Sequence, residues 1–126
     1  MKSIAIQTSE APAAIGPYSQ AIKVGNFVFC SGQIPINPKS GEMVSGSIED
    51  ETKQVLSNLM AVVKAAGGKP ENIVKTTVYV TDMGQFAKIN EIYGSYFSAP
   101  YPARATVQVA ALPKGVHIAI DAIAFI

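Results

Sequence analysis

A lone arginine is the most distinctive chemical feature of this sequence. Arg104 is the only arginine, against nine lysines, and it follows Pro102-Ala103 at the start of a run typical of a β-strand. A guanidinium stays charged, and its planar fork matches a carboxylate in two parallel hydrogen bonds. A lysine would serve equally well for general solubility. The single arginine therefore indicates a carboxylate-binding site, or else an exposed charge at a strand edge or a structural ion pair.

Asn90 is a second candidate, because it interrupts an apolar stripe. It lies four residues after Phe86 and three before Tyr93, on the same face of a predicted helix. A polar amide in such a row needs a hydrogen-bond partner. That partner is either a ligand or the backbone of a neighbouring loop.

Three further candidates stand beside glycines or on the predicted strand of Arg104. Tyr18 and Ser31 lie next to Gly16 and Gly32, where the backbone can approach a ligand closely. Gly-Pro-Tyr and Ser-Gly also make ordinary turns. Thr106 shares a strand face with Arg104, so it either presents its hydroxyl or N–H to the same pocket or packs within the sheet.

Several kinds of site are excluded by residue counts. One cysteine and one histidine cannot supply the three or four ligands of a Cys/His zinc site, and no GxxxxGK[ST] phosphate loop occurs. The residue counts therefore indicate neither a Cys/His zinc site nor a phosphate cradle. A Cys30–His117 nucleophile pair is formally possible, but a cysteine in an apolar run is typical of a core thiol.

Composition indicates one domain over residues 1–126 in the cytoplasm. The chain has 126 residues, 48% of them hydrophobic and 15% charged, with a net charge of +1. No basic stripe that would recruit nucleic acid or an anionic membrane is present. No apolar run approaches the ~20 residues of a membrane span. The first residues lack a signal peptide, and a single cysteine suits a reducing compartment.

Hydrophobic periodicity predicts an α+β fold with two helices on one face of a mixed five- or six-stranded sheet. The predicted strands are a first strand at the N-terminus, a hairpin of Ala21–Val24 and Phe27–Ser31, Ile73–Val80, Ala103–Ala110 and Val116–Ile126. One predicted helix begins after Ser47 and ends at Gly67-Gly68. The other is capped by Asp82 and carries a stripe of Phe86, Ile89, Tyr93 and Phe97.

The second face of this sheet is predicted to be half apolar and uncovered. Alternation in the last strand puts five residues on it: His117, Ala119, Asp121, Ile123 and Phe125. Ile73, Lys75, Thr77 and Tyr79 share one side of their strand, and Phe27 and Phe29 alternate with Val28 and Cys30. Scattered exposed apolar residues are common on monomers. Because several strands share the pattern, we predict that this face self-associates.

Segments along nearly the whole chain resemble the RidA/YjgF family of reactive-intermediate deaminases. They are Ala11–Gln20 (APAAIGPYSQ), Ser31–Pro35 (SGQIP), Gln54–Asn58 (QVLSN), Ala65–Gly67 (AAG), Ile73–Thr77 (IVKTT), Phe86–Tyr93 (FAKINEIY), Pro102–Arg104 (PAR) and Leu112-Pro113-Lys114. The resemblance implies a chorismate-mutase-like fold and a homotrimer with a ligand cleft at each subunit interface. It also implies hydrolysis of 2-iminobutanoate and 2-iminopropanoate to 2-oxo acids and ammonia, without a metal or organic cofactor.

The resemblance also assigns roles to residues of the cleft. Arg104 clamps the substrate carboxylate, and the cleft is lined by Tyr18, Ser31 with Gly32, Asn90 and Thr106. Two positions depart from the family pattern: Thr106 replaces a cysteine, and Ala119 replaces a glutamate that helps to position the attacking water. Asp121 points to the same face as Ala119, about 7 Å along the strand, and is the candidate to take over this catalytic role through a water.

The missing glutamate keeps several functions open. Loss of a positioned general acid or base typically costs on the order of 10² to 10⁴ in rate. Imine hydrolysis is intrinsically easy, however, so a slower deaminase is the first hypothesis. A trimer that binds carboxylate metabolites without turnover is the second, and a stress-related holdase is the third. Ribonuclease activity is also claimed within the family, but no basic patch or pair of histidines supports it here.

Overall fold

The computed structural model describes residues 2–126, which form one mixed six-stranded sheet and two α-helices. The strands are β1 Ser3–Ile6, β2 Ala21–Val24, β3 Phe27–Gln33, β4 Ile73–Val80, β5 Ala103–Gln108 and β6 Ile118–Phe125. The helices are α1 Ile48–Ala65 and α2 Phe86–Tyr96. The strand order is β1-β2-β3-β6-β4-β5, with only β4 and β5 parallel. The predicted α+β class is thereby confirmed, with α2 as the crossover that parallel neighbours require.

The helices begin and end for local reasons. The Ser47 hydroxyl accepts the Asp50 N–H at 3.0 Å, so the predicted cap of α1 is confirmed. Gly67, at φ +94°, follows the end of the helix in the left-handed region that favours glycine. Asp82 caps a short 3-10 turn over Met83–Gln85, so α2 begins only at Phe86. None of the helices within residues 2–126 is long and apolar enough to cross a membrane.

The last two strands are shorter than predicted. β5 ends at Gln108 rather than Ala110, and β6 begins at Ile118 rather than Val116. The connection includes a turn in which Lys114, with φ 58°, and Gly115, with φ 69°, both adopt left-handed backbone. A non-glycine residue in this region is uncommon. The turn therefore holds Lys114 in a fixed conformation beside β3, as described below.

One face of the sheet is covered by both helices, and the other is open. The core on the covered face includes Val28, Cys30, Val78, Val80, Ile118, Ile120, Ala122 and Ala124, all at most 6% exposed. The open face comprises Phe27, Phe29, Lys75, Thr77, Tyr79, Val107, Ala119, Asp121, Ile123 and Phe125. On it the Phe27 ring lies 5.1 Å from that of Phe125 and 6.2 Å from that of Phe29. The predicted half-apolar, uncovered face is therefore present.

Two predictions about this face are wrong. His117 was expected on it, but it precedes β6, and both its N–H and its ring contact the Glu51 carboxylate of helix α1 on the covered side. Ile73 was expected beside Lys75, Thr77 and Tyr79, but it is 4% exposed and lies on the covered face opposite Ala124. The register shifts between Ile73 and Lys75, which leaves Val74 as the extra residue of a β-bulge. A bulge turns the side chains before it to the other face. Simple alternation therefore fails at the first two residues of β4.

Candidate functional site

Arg104 is held against helix α2. It is the cross-strand neighbour of the buried Thr76, which puts it on the helix-covered side of β5. Its guanidinium carbon lies 4.8 Å from the centre of the Tyr93 ring and 5.2 Å from that of Phe86. The Nη1 group donates a hydrogen bond of 2.8 Å to Oδ1 of Asn90. Asn90 thus finds its partner in Arg104 rather than in the backbone of a loop.

No carboxylate neutralises this arginine. Within residues 2–126 the one salt bridge joins His117 and Glu51, so the structural ion pair considered for Arg104 does not form among them. Arg104 borders a cavity of about 450 Å³ lined by Asn90, Tyr93, Gly94, Tyr101, Pro102 and Arg104. We call this cavity the arginine cleft. Its chemistry is that of an aromatic wall with one cation, which suits a small anion such as a carboxylate.

Tyr93 is the buried residue among those that line the arginine cleft. It is 4% exposed, and its hydroxyl lies 2.7 Å from the hydroxyl of Thr76 in a buried hydrogen bond. Burial raises the pKa of Tyr93, against the hydrogen bond with Thr76 and the positive charge of Arg104, which lower it. Thr106 also lies on the covered side, opposite Val78, but it does not line the cavity.

Tyr18, Ser31 and Gly32 come together at a second cavity, of about 570 Å³. Its lining also includes Ile15, Pro113 and Lys114, and we call it the tyrosine cleft. Tyr18 is 55% exposed. A side chain built on Gly32 would meet no atom within 4 Å, so packing within one chain does not require glycine there. The space over Gly32 is open to a ligand or to a second subunit.

Main-chain hydrogen bonds fix the segment that carries Tyr18. The Ser31 hydroxyl donates to the carbonyl of Ser19 at 2.5 Å, and the Ser31 N–H donates to the carbonyl of Gln20 at 2.9 Å. The hydroxyl proton of Ser31, a predicted binding residue, is therefore used in the hydrogen bond to Ser19. Ser31 keeps its oxygen lone pairs, so it can still accept a hydrogen bond from a ligand.

Lys114 lines the tyrosine cleft and was not among the predicted site residues. The Pro-Lys-Gly turn was an available signal, because such a turn indicates a lysine held at a fixed place. What the sequence could not show is that this turn folds back to the cavity beside Tyr18 and Ser31. Lys114 therefore adds one positive charge to the lining of the tyrosine cleft.

Asp121 lies on the open face, outside both clefts. Its Oδ2 accepts a hydrogen bond of 2.9 Å from the hydroxyl of Tyr79, a residue that the sequence did not single out. The hydrogen bond to Asp121 is the main reason that the pKa of Tyr79 is raised, followed by burial. Ala119 is the direct cross-strand neighbour of Tyr79 and is 6% exposed. Asp121 therefore already has a partner, and one of its two oxygens remains free for a water.

A single chain does not unite the predicted site residues. Strands β6 and β4 lie between the β3 strand of Ser31 and the β5 strand of Arg104, a separation of roughly 14 Å at ~4.8 Å per strand. Arg104 faces the helices, whereas Asp121 faces the open side. The structure brings Asn90 to Arg104, and Tyr18 to Ser31 and Gly32. It leaves the two groups apart.

The alternative Cys30–His117 pair is wrong. Cys30 is buried on the covered face, and burial raises its pKa to about 12, with the negative charge of Asp121 adding to the effect. His117 instead places Nδ1 2.7 Å from a carboxylate oxygen of Glu51. Across residues 2–126 no three His, Cys, Asp or Glu side chains gather in a group that could hold a metal ion.

Comparison with known proteins gives consistent matches over nearly the whole chain. The model of one protein family, described as endoribonuclease L-PSP, matches residues 8–126. A RutC family protein of Pyrococcus horikoshii is 55% identical over 99% of this chain and 98% of its own length. A mouse protein named 2-iminobutanoate/2-iminopropanoate deaminase is 52% identical over 94% of this chain and 88% of its own length. The crystal structure of RidA from an Antarctic Psychrobacter species has a TM-score of 0.94 at 48% identity, covering 98% of this chain and 99% of that one.

Proposed function

This chain belongs to the RidA family, described by its model as endoribonuclease L-PSP, and from that premise we propose that it hydrolyses small 2-imino acids to 2-oxo acids and ammonia. The proposed substrates are 2-iminobutanoate and 2-iminopropanoate, after the name of the mouse relative. The observation that supports the proposal most strongly is the environment of the Arg104 guanidinium. This guanidinium borders a cavity, rests on two aromatic rings and has no carboxylate partner within residues 2–126.

In the proposed reaction Arg104 binds the carboxylate and presents the adjacent iminium carbon to water. The water oxygen attacks this carbon, and the electron pair of the C=N bond moves to nitrogen. One proton leaves the water and is then returned to the nitrogen of the resulting carbinolamine, which expels ammonia as its hydroxyl proton is released and its C=O bond forms. Asp121 is the proposed acceptor of the water proton, through the oxygen that Tyr79 does not occupy. Positioning carries most of the catalysis, because a protonated iminium is already a good electrophile.

We further propose that the complete cleft forms between subunits of a homotrimer. One subunit supplies the arginine cleft, and its neighbour supplies Tyr18, Ser31 and Gly32 together with Asp121. Two observations support this arrangement. The two groups of residues lie apart in one chain, and the open face carries Phe27, Phe29 and Phe125 at 44–48% exposure. An exposed apolar surface of this kind is typical of an interface between subunits.

The activity test uses an imine generated in place by a dehydratase, with formation of 2-oxobutanoate as the readout. We expect wild-type protein to accelerate this step and Arg104→Ala to lose the acceleration. Ala119→Glu adds a carboxylate beside Tyr79 and is expected to raise the rate. Wild-type protein that leaves imine decay unchanged would refute the deaminase proposal.

The shared cleft has its own test, because two defective variants should rescue each other. Arg104→Ala and Tyr18→Ala are co-refolded in equal amounts. In randomly mixed trimers with sites between subunits, about a quarter of the sites combine two intact halves, so about a quarter of the activity returns. Sites contained within one subunit would give no recovery above that of the separate variants.

A second candidate function is the binding of carboxylate metabolites without turnover, and Ala119 is the observation that favours it. The Tyr79 side chain reaches Asp121 past this small residue, so no carboxylate stands at position 119. This function predicts saturable binding of 2-oxobutanoate that is lost in Arg104→Ala, with no imine hydrolysis by the wild type. If the Ala119→Glu variant then hydrolyses the imine, the wild-type cleft can hold the substrate but lacks a general base.

A further inference from the structure

The guanidinium of Arg104 is seated in a group of three side chains from one helix face. Phe86, Asn90 and Tyr93 stand at positions i, i+4 and i+7 of α2, which places them above one another on the same face. The two rings lie 5.2 Å and 4.8 Å from the guanidinium carbon, and the amide oxygen of Asn90 lies 2.8 Å from Nη1. We call these three residues the arginine cradle.

The cradle rests on the core of the protein. Tyr93 is 4% exposed, its ring lies 4.6 Å from that of Phe97, and its hydroxyl is bonded to the buried Thr76. Thr76 is also the cross-strand neighbour of Arg104. One residue of β4 therefore fixes both the backbone from which the arginine projects and the ring on which its guanidinium rests. This double attachment leaves little freedom for a change in the arginine rotamer.

The contacts of the cradle leave the rest of the guanidinium available. A guanidinium has five N–H donors in one plane, and Asn90 accepts from one of them, at Nη1. The rings lie within cation–π distance of the guanidinium carbon. Arg104 also borders the cavity, whose lining includes Tyr101 and Pro102.

We propose that Phe86, Asn90 and Tyr93 are positioning residues that set the orientation of the Arg104 fork before a carboxylate binds. In this arrangement the Arg104 side chain loses its rotamer freedom when the protein folds and not when the ligand binds. The affinity of Arg104 for a carboxylate is therefore higher. Asn90 acts through Arg104, since its acceptor oxygen is committed to Nη1. The identity of the carboxylate ligand rests on the proposed function, whereas the cradle itself rests on the contacts.

The first test measures binding of 2-oxobutanoate, a non-reacting carboxylate, by calorimetry. We expect about three- to tenfold weaker binding in Phe86→Leu and in Tyr93→Leu, which remove one ring each, and near-normal binding in Tyr93→Phe, which keeps it. Tyr96→Leu is the matched control, because Tyr96 lies on the same helix and its hydroxyl contacts Ser57 and Lys53 instead. Equal affinity in wild type, Phe86→Leu and Tyr93→Leu would overturn the cradle.

Asn90 gives a test that depends on charge. Asn90→Asp places an anion within hydrogen-bond reach of Nη1 and cancels the cation that a carboxylate needs. It should therefore weaken binding more than Asn90→Ala, about tenfold or more against about threefold. Asn90 is exposed, so neither variant threatens folding. A purely structural role predicts the same effect for both substitutions, and that result would contradict the proposal.

A ligand-independent readout separates failure of the cradle from failure of the proposed function. Because Arg104 is the only arginine, phenylglyoxal modification followed by mass spectrometry reports on this residue alone. We expect Tyr93→Leu and Asn90→Ala to be modified several-fold faster than wild type and Tyr96→Leu to match it. Unchanged modification rates would overturn the cradle even if 2-oxobutanoate binds. Faster modification of the variants without any binding of 2-oxobutanoate would support the positioning role of the cradle and would refute 2-oxobutanoate as the ligand.

Discussion

The arginine cleft is organised by contacts between side chains, whereas the tyrosine cleft is organised by hydrogen bonds to main-chain groups. Arg104 is held by two rings and an amide from a single helix. Tyr18 is 55% exposed and projects from a segment that is pinned by backbone carbonyls of residues 19 and 20. Side-chain contacts fix how a group points, while main-chain bonds fix only where its segment lies. The direction of the Arg104 side chain is thus set by its contacts, whereas that of the exposed Tyr18 side chain is not.

The largest effect is expected from Arg104 itself. Arg104→Ala removes the two charge-assisted hydrogen bonds that we propose for the substrate carboxylate, and kcat/KM should fall by about 10² to 10³. Arg104→Lys keeps the charge but loses the fork, so it should recover only part of this loss. The measurement is the rate of 2-oxobutanoate formation from an imine made in place. Equal activity of the Lys variant and the wild type would show that charge, not geometry, matters.

A smaller effect is expected at Asp121, which belongs to neither cleft. Asp121→Asn removes the proposed proton acceptor and should lower kcat by about 10- to 100-fold, with KM nearly unchanged. Tyr79→Phe deletes the hydroxyl that orients this carboxylate and should cost only a few-fold. Steady-state kinetics separate kcat from KM in both variants. A change confined to KM would place Asp121 in binding rather than in proton transfer.

The main-chain organisation of the tyrosine cleft depends on Gln20. Its buried side-chain amide accepts from the Thr8 N–H at 2.7 Å and donates to the carbonyls of Thr8, Ala11 and Pro12. Gln20→Ala should lower the free energy of unfolding by about 1–3 kcal/mol, because buried backbone groups lose their partners. Urea unfolding measures the change, with the exposed Gln7→Ala as the control. Equal stability of the two variants would contradict this role.

The effect confined to alkaline pH concerns Cys30, one residue before Ser31 but on the other sheet face. Burial raises the pKa of Cys30 to about 12, so the folded chain holds this proton more tightly than the unfolded chain does. The stabilisation is fully present below about pH 9 and is lost as the pH rises toward 12, by at most ~1.4 kcal/mol per pH unit. Unfolding of Cys30→Ala should therefore depend less on pH between about 9 and 11. Parallel curves for both proteins would refute the raised pKa.

Most of the fold could be predicted because it depends on local patterns. Ser47 and Gly67-Gly68 predicted the two ends of α1, since start and stop signals are local. Alternation predicted the two faces of β6. Alternation failed at Ile73, because a bulge inserts one residue and no local pattern marks it.

The candidate site was predicted residue by residue but not as an arrangement. Arg104, Asn90, Tyr18, Ser31 and Gly32 all line one of the two clefts. Thr106 shares only the sheet face of Arg104, and Asp121 faces the open side. The sequence missed Lys114, Tyr79 and the role of Tyr93, because each depends on a contact with a residue far away along the chain.

The sequence by itself determined the types of group available and the elements that carry them. Those follow from residue counts and from periodicities of two and 3.6, which are properties of neighbouring residues. Only the tertiary structure decided that Asn90 accepts a hydrogen bond from Arg104 and that Tyr79 donates one to Asp121. It also decided that strands β6 and β4 separate the two clefts. The physical reason is that strand order and register join residues distant in sequence. The strand order β3-β6-β4-β5 is set by packing of the whole sheet and not by any one segment.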